Sequence, residues 1–126
     1  MNILAHALLG AHNDDLMLGS MLGDFVHGPV PQGLRPDVEA GVRLHRAVDI
    51  YTDNHPIVRE LRGTFVVPFR RYAGIILDIW FDHLLARDFA RYSDVPLEAF
   101  SDRVMQLLRA HADELPPSMH GFVAYM

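Results

Sequence analysis

The chain has 126 residues, 50% of them hydrophobic and 21% charged, a size that suits one domain with its own core. It has no cysteine, which excludes disulfide scaffolds, thiolate metal sites and cysteine nucleophiles. The net charge of −5, with eleven arginines and no lysine against sixteen acids, argues against nucleic acid as a partner, and the apolar runs are too short to span a membrane.

Hydrophobic periodicity is helical almost throughout. Residues 2–12 read as a short apolar helix. This start has no positive n-region and is broken by His6, so it does not read as a signal peptide, and a cytoplasmic location is the expectation. Asp14 and Asp15 are placed to cap a second helix over about 16–27, ended by Gly28 and Pro29. Residues 28–36, with three prolines and two glycines, fit only a loop. Asp37 is placed to cap a helix to about Tyr51, with Val38, Val42, His45 and Val48 on one stripe. The Asp53-Asn54-His55-Pro56 stretch breaks it and restarts a helix with Pro56 near its first turn. Pro68 opens what reads as the longest helix, to about Arg91. Asp94 and Pro96 start another, with Leu97, Phe100, Val104, Leu107 and Leu108 facing inward. Pro116-Pro117 ends it, and residues 118–126 begin a further helix. The expectation is an all-α bundle of six or seven helices in a single domain, 1–126.

The polar residues in apolar surroundings are the candidates for chemistry. Eight histidines and an excess of Asp over Glu, twelve to four, supply the ligand set for a hard or borderline divalent metal. In the segment from Ile75 to Leu85, Asp78 and Asp82 lie within about 40° of each other on a helical wheel, and nearly all the rest is apolar. A helix apolar nearly all round is expected to be buried. Its two carboxylates then need a metal or a partner. The alternative is a thin solvent strip with Arg71 as ion-pair partner. His45 and Asp49, four apart, share one helix face and can share a ligand. Spacing alone says little, since about one such His–Asp pair arises by chance in this composition. The apolar stripe around His45 carries the reading, against the alternative of a satisfied core histidine. His6 and Asp24 also sit among apolar neighbours, and each alone reads as structural. His12, His27, His111 and His120 read as surface or packing residues. Residues 54–77 carry +3 while the flanking parts are acidic, through Arg59, Arg62, Arg70 and Arg71 against Glu60. That block could receive an acidic partner or be a solvated face. No phosphate-binding loop, dinucleotide fingerprint or nucleophile elbow is present.

Five motifs in order carry a resemblance: Met1-Asn2-Ile3-Leu4-Ala5-His6, Gly19 to Val26, Gly41 through His45-Arg46 to Asp49, Thr52-Asp53-Asn54-His55-Pro56, and Asp78 to Asp82-His83-Leu84. Together they make the chain similar to the acyl carrier protein phosphodiesterase family over essentially all 126 residues. The resemblance implies an all-helical fold like that of HD-type metal-dependent phosphohydrolases. It implies removal of 4′-phosphopantetheine from the serine of holo-acyl carrier protein, with Mn²⁺ as the divalent metal and Mg²⁺ as its alternative. It picks out His6, Asp24, His45, Asp49, Asp78 and Asp82. Asp24, His45, Asp49 and Asp78 are expected as metal ligands. Arg46, which stands where an ordinary HD protein has an aspartate, is expected to reach the phosphate. Asp82 or His6 is expected to orient the water or protonate the leaving serine. The Arg59, Arg62, Arg70, Arg71 block is the expected docking surface for acyl carrier protein. Family members extend beyond 126 residues, so the chain is expected to lack their C-terminal helices and to expose apolar surface that a second copy could cover. Two other readings stay open: a phosphohydrolase acting on a small phosphoester or nucleotide, and a truncated, non-catalytic helical binding module.

Overall fold

The computed structural model describes residues 2–125, which form seven α-helices joined by loops and four short 3₁₀ turns. Helix α1 (Ile3–Leu9) is followed by α2 (Asp14–Leu22), which runs into a 3₁₀ turn at Gly23–Phe25. The side chain of Asn13, rather than Asp14 or Asp15, caps α2 by accepting the Leu16 N–H at 2.8 Å; the two aspartates occupy the first turn, where they complement the helix dipole. Helix α3 (Pro36–Asn54) starts one residue before the expected cap. Pro36 is its first residue, and Asp37 sits in the first turn. Helix α4 (Pro56–Gly63) begins at the proline expected to restart it, and the His55 ring accepts the Ile57 N–H at 3.2 Å.

The stretch after Pro68 differs from the sequence reading. It is a 3₁₀ turn (Phe69–Tyr72), helix α5 (Ala73–Arg87) and another 3₁₀ turn (Phe89–Arg91). The longest helix is therefore α3, with 19 residues, and not α5, with 15. Helix α6 (Leu97–Ala110) buries Phe100, Val104, Leu107 and Leu108, as its stripe predicts, and Leu97 packs against them half-buried. Helix α7 (Pro117–Tyr125) closes the described chain; the expected start of the chain at Met1 and end of this helix at Met126 lie outside the described residues. None of the described helices is long and apolar enough to cross a membrane.

One apolar core joins α1, α2, α3, α6 and α7. Met17, Leu18 and Met21 of α2 meet Val38 and Val42 of α3, Leu108 of α6 and Met119 of α7, all buried. Its centre is the crossing of α2 over α3. There two glycines face each other: a Cβ on Gly19 would overlap the Val38 carbonyl, and one on Gly41 would overlap the Leu16 carbonyl. Backbones approach this closely only where neither residue has a side chain.

Helix α4 lies outside this core, and α5 reaches it through half-buried Leu85. Helix α4 buries no residue, and α5 buries only Ala73 and Leu77. The expectation that α5 is buried nearly all round is overturned. Ile75 is 63% exposed, Ile79 58% and Trp80 54%. The wheel registers how apolar a helix is, but not whether enough neighbouring chain exists to cover it. Arg71 stacks over the Tyr72 ring at 4.9 Å instead of pairing with Asp78 or Asp82.

The crossing yields a test. Gly19→Ala must push α2 and α3 apart and is expected to cost roughly 3 kcal/mol. Gly63→Ala, where a Cβ meets nothing within 4 Å, is expected to leave stability equal or slightly higher. Equal urea midpoints for the two variants would show that the crossing does not constrain the fold.

Candidate metal centre

The same helix faces that cross at Gly19 and Gly41 build the centre one turn further on. Four residues past Gly41, α3 presents His45, and four residues past Gly19 the chain presents Gly23. A Cβ on Gly23 would overlap the His45 ring, so the absent side chain is the space the imidazole fills. His45 is buried, and its Nδ1–H donates to the Ser20 carbonyl at 2.7 Å. That bond fixes the ring and turns Nε2 toward the carboxylates.

Nε2 of His45 lies 3.0 Å from Asp24 Oδ1 and 3.2 Å from Asp49 Oδ2. The other Asp49 oxygen lies 3.0 Å from Nε2 of His6, which is also buried. The two imidazoles stack, with centroids 3.6 Å apart and planes 16° from parallel. His6, His45 and Asp49 each offer one ligand atom, all within 4.8 Å of one another. Two imidazoles and a carboxylate, aimed at one point, are a donor set that fits a borderline divalent cation.

The electrostatics agree with that geometry. Burial alone would lower the His45 imidazole, but Asp24, Asp49 and the Ser20 carbonyl outweigh it and push it up to about 9. Burial would raise Asp49, but hydrogen bonds with His45 and His6 hold its carboxyl far below the ordinary carboxylate range. The hydrogen bond with His45 holds Asp24 low as well. Anionic carboxylates thus surround one ring nitrogen, a place where positive charge is favoured, whether a proton or a cation.

The remaining sequence candidates have four different placements. Asp78, half-buried on α5, has its carboxyl raised by burial and by repulsion from Asp49 and Asp53, so α5 brings it to the acidic side of the centre. Asp53 was not a candidate from sequence, although it stands four residues past Asp49 on the same helix. Asp82, also on α5, faces α1: Oδ2 accepts the Leu4 N–H at 2.8 Å and Oδ1 the Ala5 N–H at 3.0 Å. Asn2 provides no side-chain cap, so a carboxylate from α5 caps α1, one residue before His6. Arg46 Nη2 donates to the Val26 carbonyl at 3.4 Å and so ties α3 to the segment after Asp24. Arg59, Arg62, Arg70 and Arg71 are exposed and lie on α4 and the turn before α5, away from the His–Asp cluster in sequence and element. Ser20 and Gly23 act through a carbonyl and through a missing side chain, features that no residue-type pattern signals.

Comparison with known proteins bears on the chain as a whole. The family model for acyl carrier protein phosphodiesterase matches residues 1–126. Curated relatives include an acyl carrier protein phosphodiesterase of Yersinia enterocolitica serotype O:8, 38% identical over 128 residues. Another, of Escherichia coli O139:H28, is 42% identical over 127 residues. Each match covers 100% of this chain and 66% of the relative, so the chain spans slightly less than two thirds of those proteins' length. No solved structure matches the chain.

The trans cap gives a direct test. Asp82→Ala removes two charge-assisted hydrogen bonds and is expected to cost about 2 kcal/mol of unfolding free energy. Asp82→Asn, which keeps an acceptor oxygen, should cost about half as much. A wild-type urea midpoint for Asp82→Ala would mean that α1 is held by packing alone.

Proposed function

This chain belongs to the acyl carrier protein phosphodiesterase family, and we propose that it hydrolyses holo-acyl carrier protein to apo-acyl carrier protein and 4′-phosphopantetheine. The observation that supports this most is the convergence of His6, His45 and Asp49 on one point, with Asp24 against His45. We assign these four residues, with Asp78, to the binding of a divalent metal, Mn²⁺ ahead of Mg²⁺. When bound, such an ion polarises a phosphoryl oxygen and lowers the pKa of a coordinated water.

The reaction attaches the oxygen of water to phosphorus, breaks the bond from phosphorus to the serine oxygen and leaves a proton on that oxygen. The chain's own residues prepare the place for it. The Ser20 carbonyl accepts from Nδ1 of His45 and so fixes the ring with Nε2 facing Asp24 and Asp49. Gly23 leaves room for that ring. Asp82 acts as a positioning residue: by capping α1 it sets where His6 stands. This reading gives Asp82 a different part from the proton transfer expected from sequence, because both its oxygens already accept backbone N–H groups. Arg46 holds the Asp24–Val26 segment against α3.

The deciding measurement is the intact mass of holo-acyl carrier protein incubated with the chain and Mn²⁺, with a chelator control. Metal-dependent loss of the phosphopantetheine group is expected. Asp49→Ala should lower turnover and Mn²⁺ affinity at least about 100-fold, beyond what loss of an outer-shell partner costs. Cleavage of small diesters but not of the carrier protein would favour the small-phosphoester reading. No cleavage of either would leave a binding module. The arginine block gives a second expectation. Reversing Arg70 and Arg71 to Glu should raise KM about tenfold and flatten its dependence on salt, because the steering charge is gone. A KM that stays the same across salt in both proteins would remove the block from substrate binding.

A further inference from the structure

The face of the molecule that the core leaves bare has a defined shape and charge. Between α4 and α5 runs a groove of about 820 Å³, walled by Leu61 and Phe65 on one side and by Ile76, Ile79 and Trp80 on the other. A smaller hollow of about 310 Å³ continues it, sharing Phe65 and Ile76 and reaching Phe69. Arg59 and Arg62 lie on α4, and Arg70 and Arg71 on the turn that leads into α5. The Arg62 guanidinium reaches across the groove's end to the first turn of α5, 3.3 Å from where a Cβ on Gly74 would stand. All four arginines are exposed. Arg35, Arg43, Arg87 and Arg103 are each paired with an acid, whereas these four form no ion pair among the described residues.

We propose that this arginine-rimmed groove is the docking surface for an acidic, amphipathic helix of the protein substrate, its apolar ridge set between Phe65 and Trp80. The proposal rests on the reading of the chain as a carrier-protein phosphodiesterase and extends it from a charged patch to a built groove. Charge decides between the occupants. A second copy of this chain packed symmetrically on the groove would set the arginine block against itself, a repulsion that an isologous contact cannot avoid. An acidic partner instead supplies counter-charge to four arginines that form no ion pair among the described residues. Shape decides the rest. A concave, apolar channel suits the side-chain ridge of a helix, as in helix-in-groove recognition, better than the flat surface of a lipid bilayer.

Trp80 is the sole tryptophan and stands in the groove wall, so its emission reports what fills the groove. The full chain is titrated with holo-acyl carrier protein in chelator, which prevents turnover. A saturable blue shift is expected. Ile79→Asp and the Arg70→Glu, Arg71→Glu pair should each weaken it at least tenfold, and Arg91→Glu, a charge reversal elsewhere on the surface, should leave it within twofold. A silent Trp80 in a protein that still cleaves the carrier protein once Mn²⁺ is added overturns the docking surface alone. A silent Trp80 and no cleavage overturn both the surface and the functional reading. A saturable response without cleavage keeps the surface and overturns the hydrolytic reading. A shift that follows the chain's own concentration, or that follows anionic phosphatidylserine vesicles but not the carrier protein, overturns the proposal in favour of a second copy or a membrane.

Discussion

The contact on which this structure depends is the close approach of α2 and α3 at Gly19 and Gly41. Two helices carrying side chains at a crossing keep their axes about 8–10 Å apart. Paired glycines allow a tighter approach, in which backbone carbonyls and Cα atoms of one helix touch the other. Everything one turn further along both helices inherits that separation. Gly23 meets the His45 ring, and Ser20 brings its carbonyl within 2.7 Å of Nδ1. A wider crossing would leave the imidazole without its hydrogen bond. The scaffold and the centre are consecutive turns of one interface.

The centre resolves a tension that buried charge always creates. The two histidines are buried, whereas Asp49 is partly buried and Asp24 half-exposed, and a buried ion costs several kcal/mol unless it is compensated. Here no buried side-chain polar atom among the described residues lacks a hydrogen-bond partner. The arrangement concentrates negative charge around one imidazole nitrogen and so pre-forms a place for a cation. Contributions come from α1, the turn after α2, α3 and α5, so the centre reports the relative placement of four chain segments. Helix α5 alone touches both features: Asp78 turns toward the acids of the centre, while Ile76, Ile79 and Trp80 wall the apolar groove.

Sequence periodicity conveyed the all-helical fold, the inward stripes of α3 and α6 and the proline-led start of α4, because these depend on local spacing. His45 stood on an apolar stripe, and His6 among leucines and alanines, so both were visible as anomalies. Their stacking was not visible, because nothing local connects residues 39 positions apart. Gly23 lay within a recognisable motif, but the reason for a glycine there is a ring from another helix. Asp82 shows the limit most plainly. A wheel places it beside Asp78 on one strip, and the family pattern groups the two. In space the strip divides: Asp78 faces acids and Asp82 faces the backbone of α1. Helix α5 departs from its sequence pattern for a related reason, since apolar composition shows a need for cover but not its presence.

The trans cap also bears on the order in which the molecule comes together. Helix α1 has seven residues, too short to persist alone in water, and its own Asn2 does not cap it. Its carboxylate cap stands 78 residues downstream of Leu4. During synthesis at roughly 5–20 residues per second, Asp82 emerges several seconds after His6. Until then the first turn of α1 lacks both acceptors, while α2 and α3 can already pack at their glycines. Helix α1 is thus made first and finished late. One of the two histidines therefore reaches its place only once the chain has returned to its own beginning.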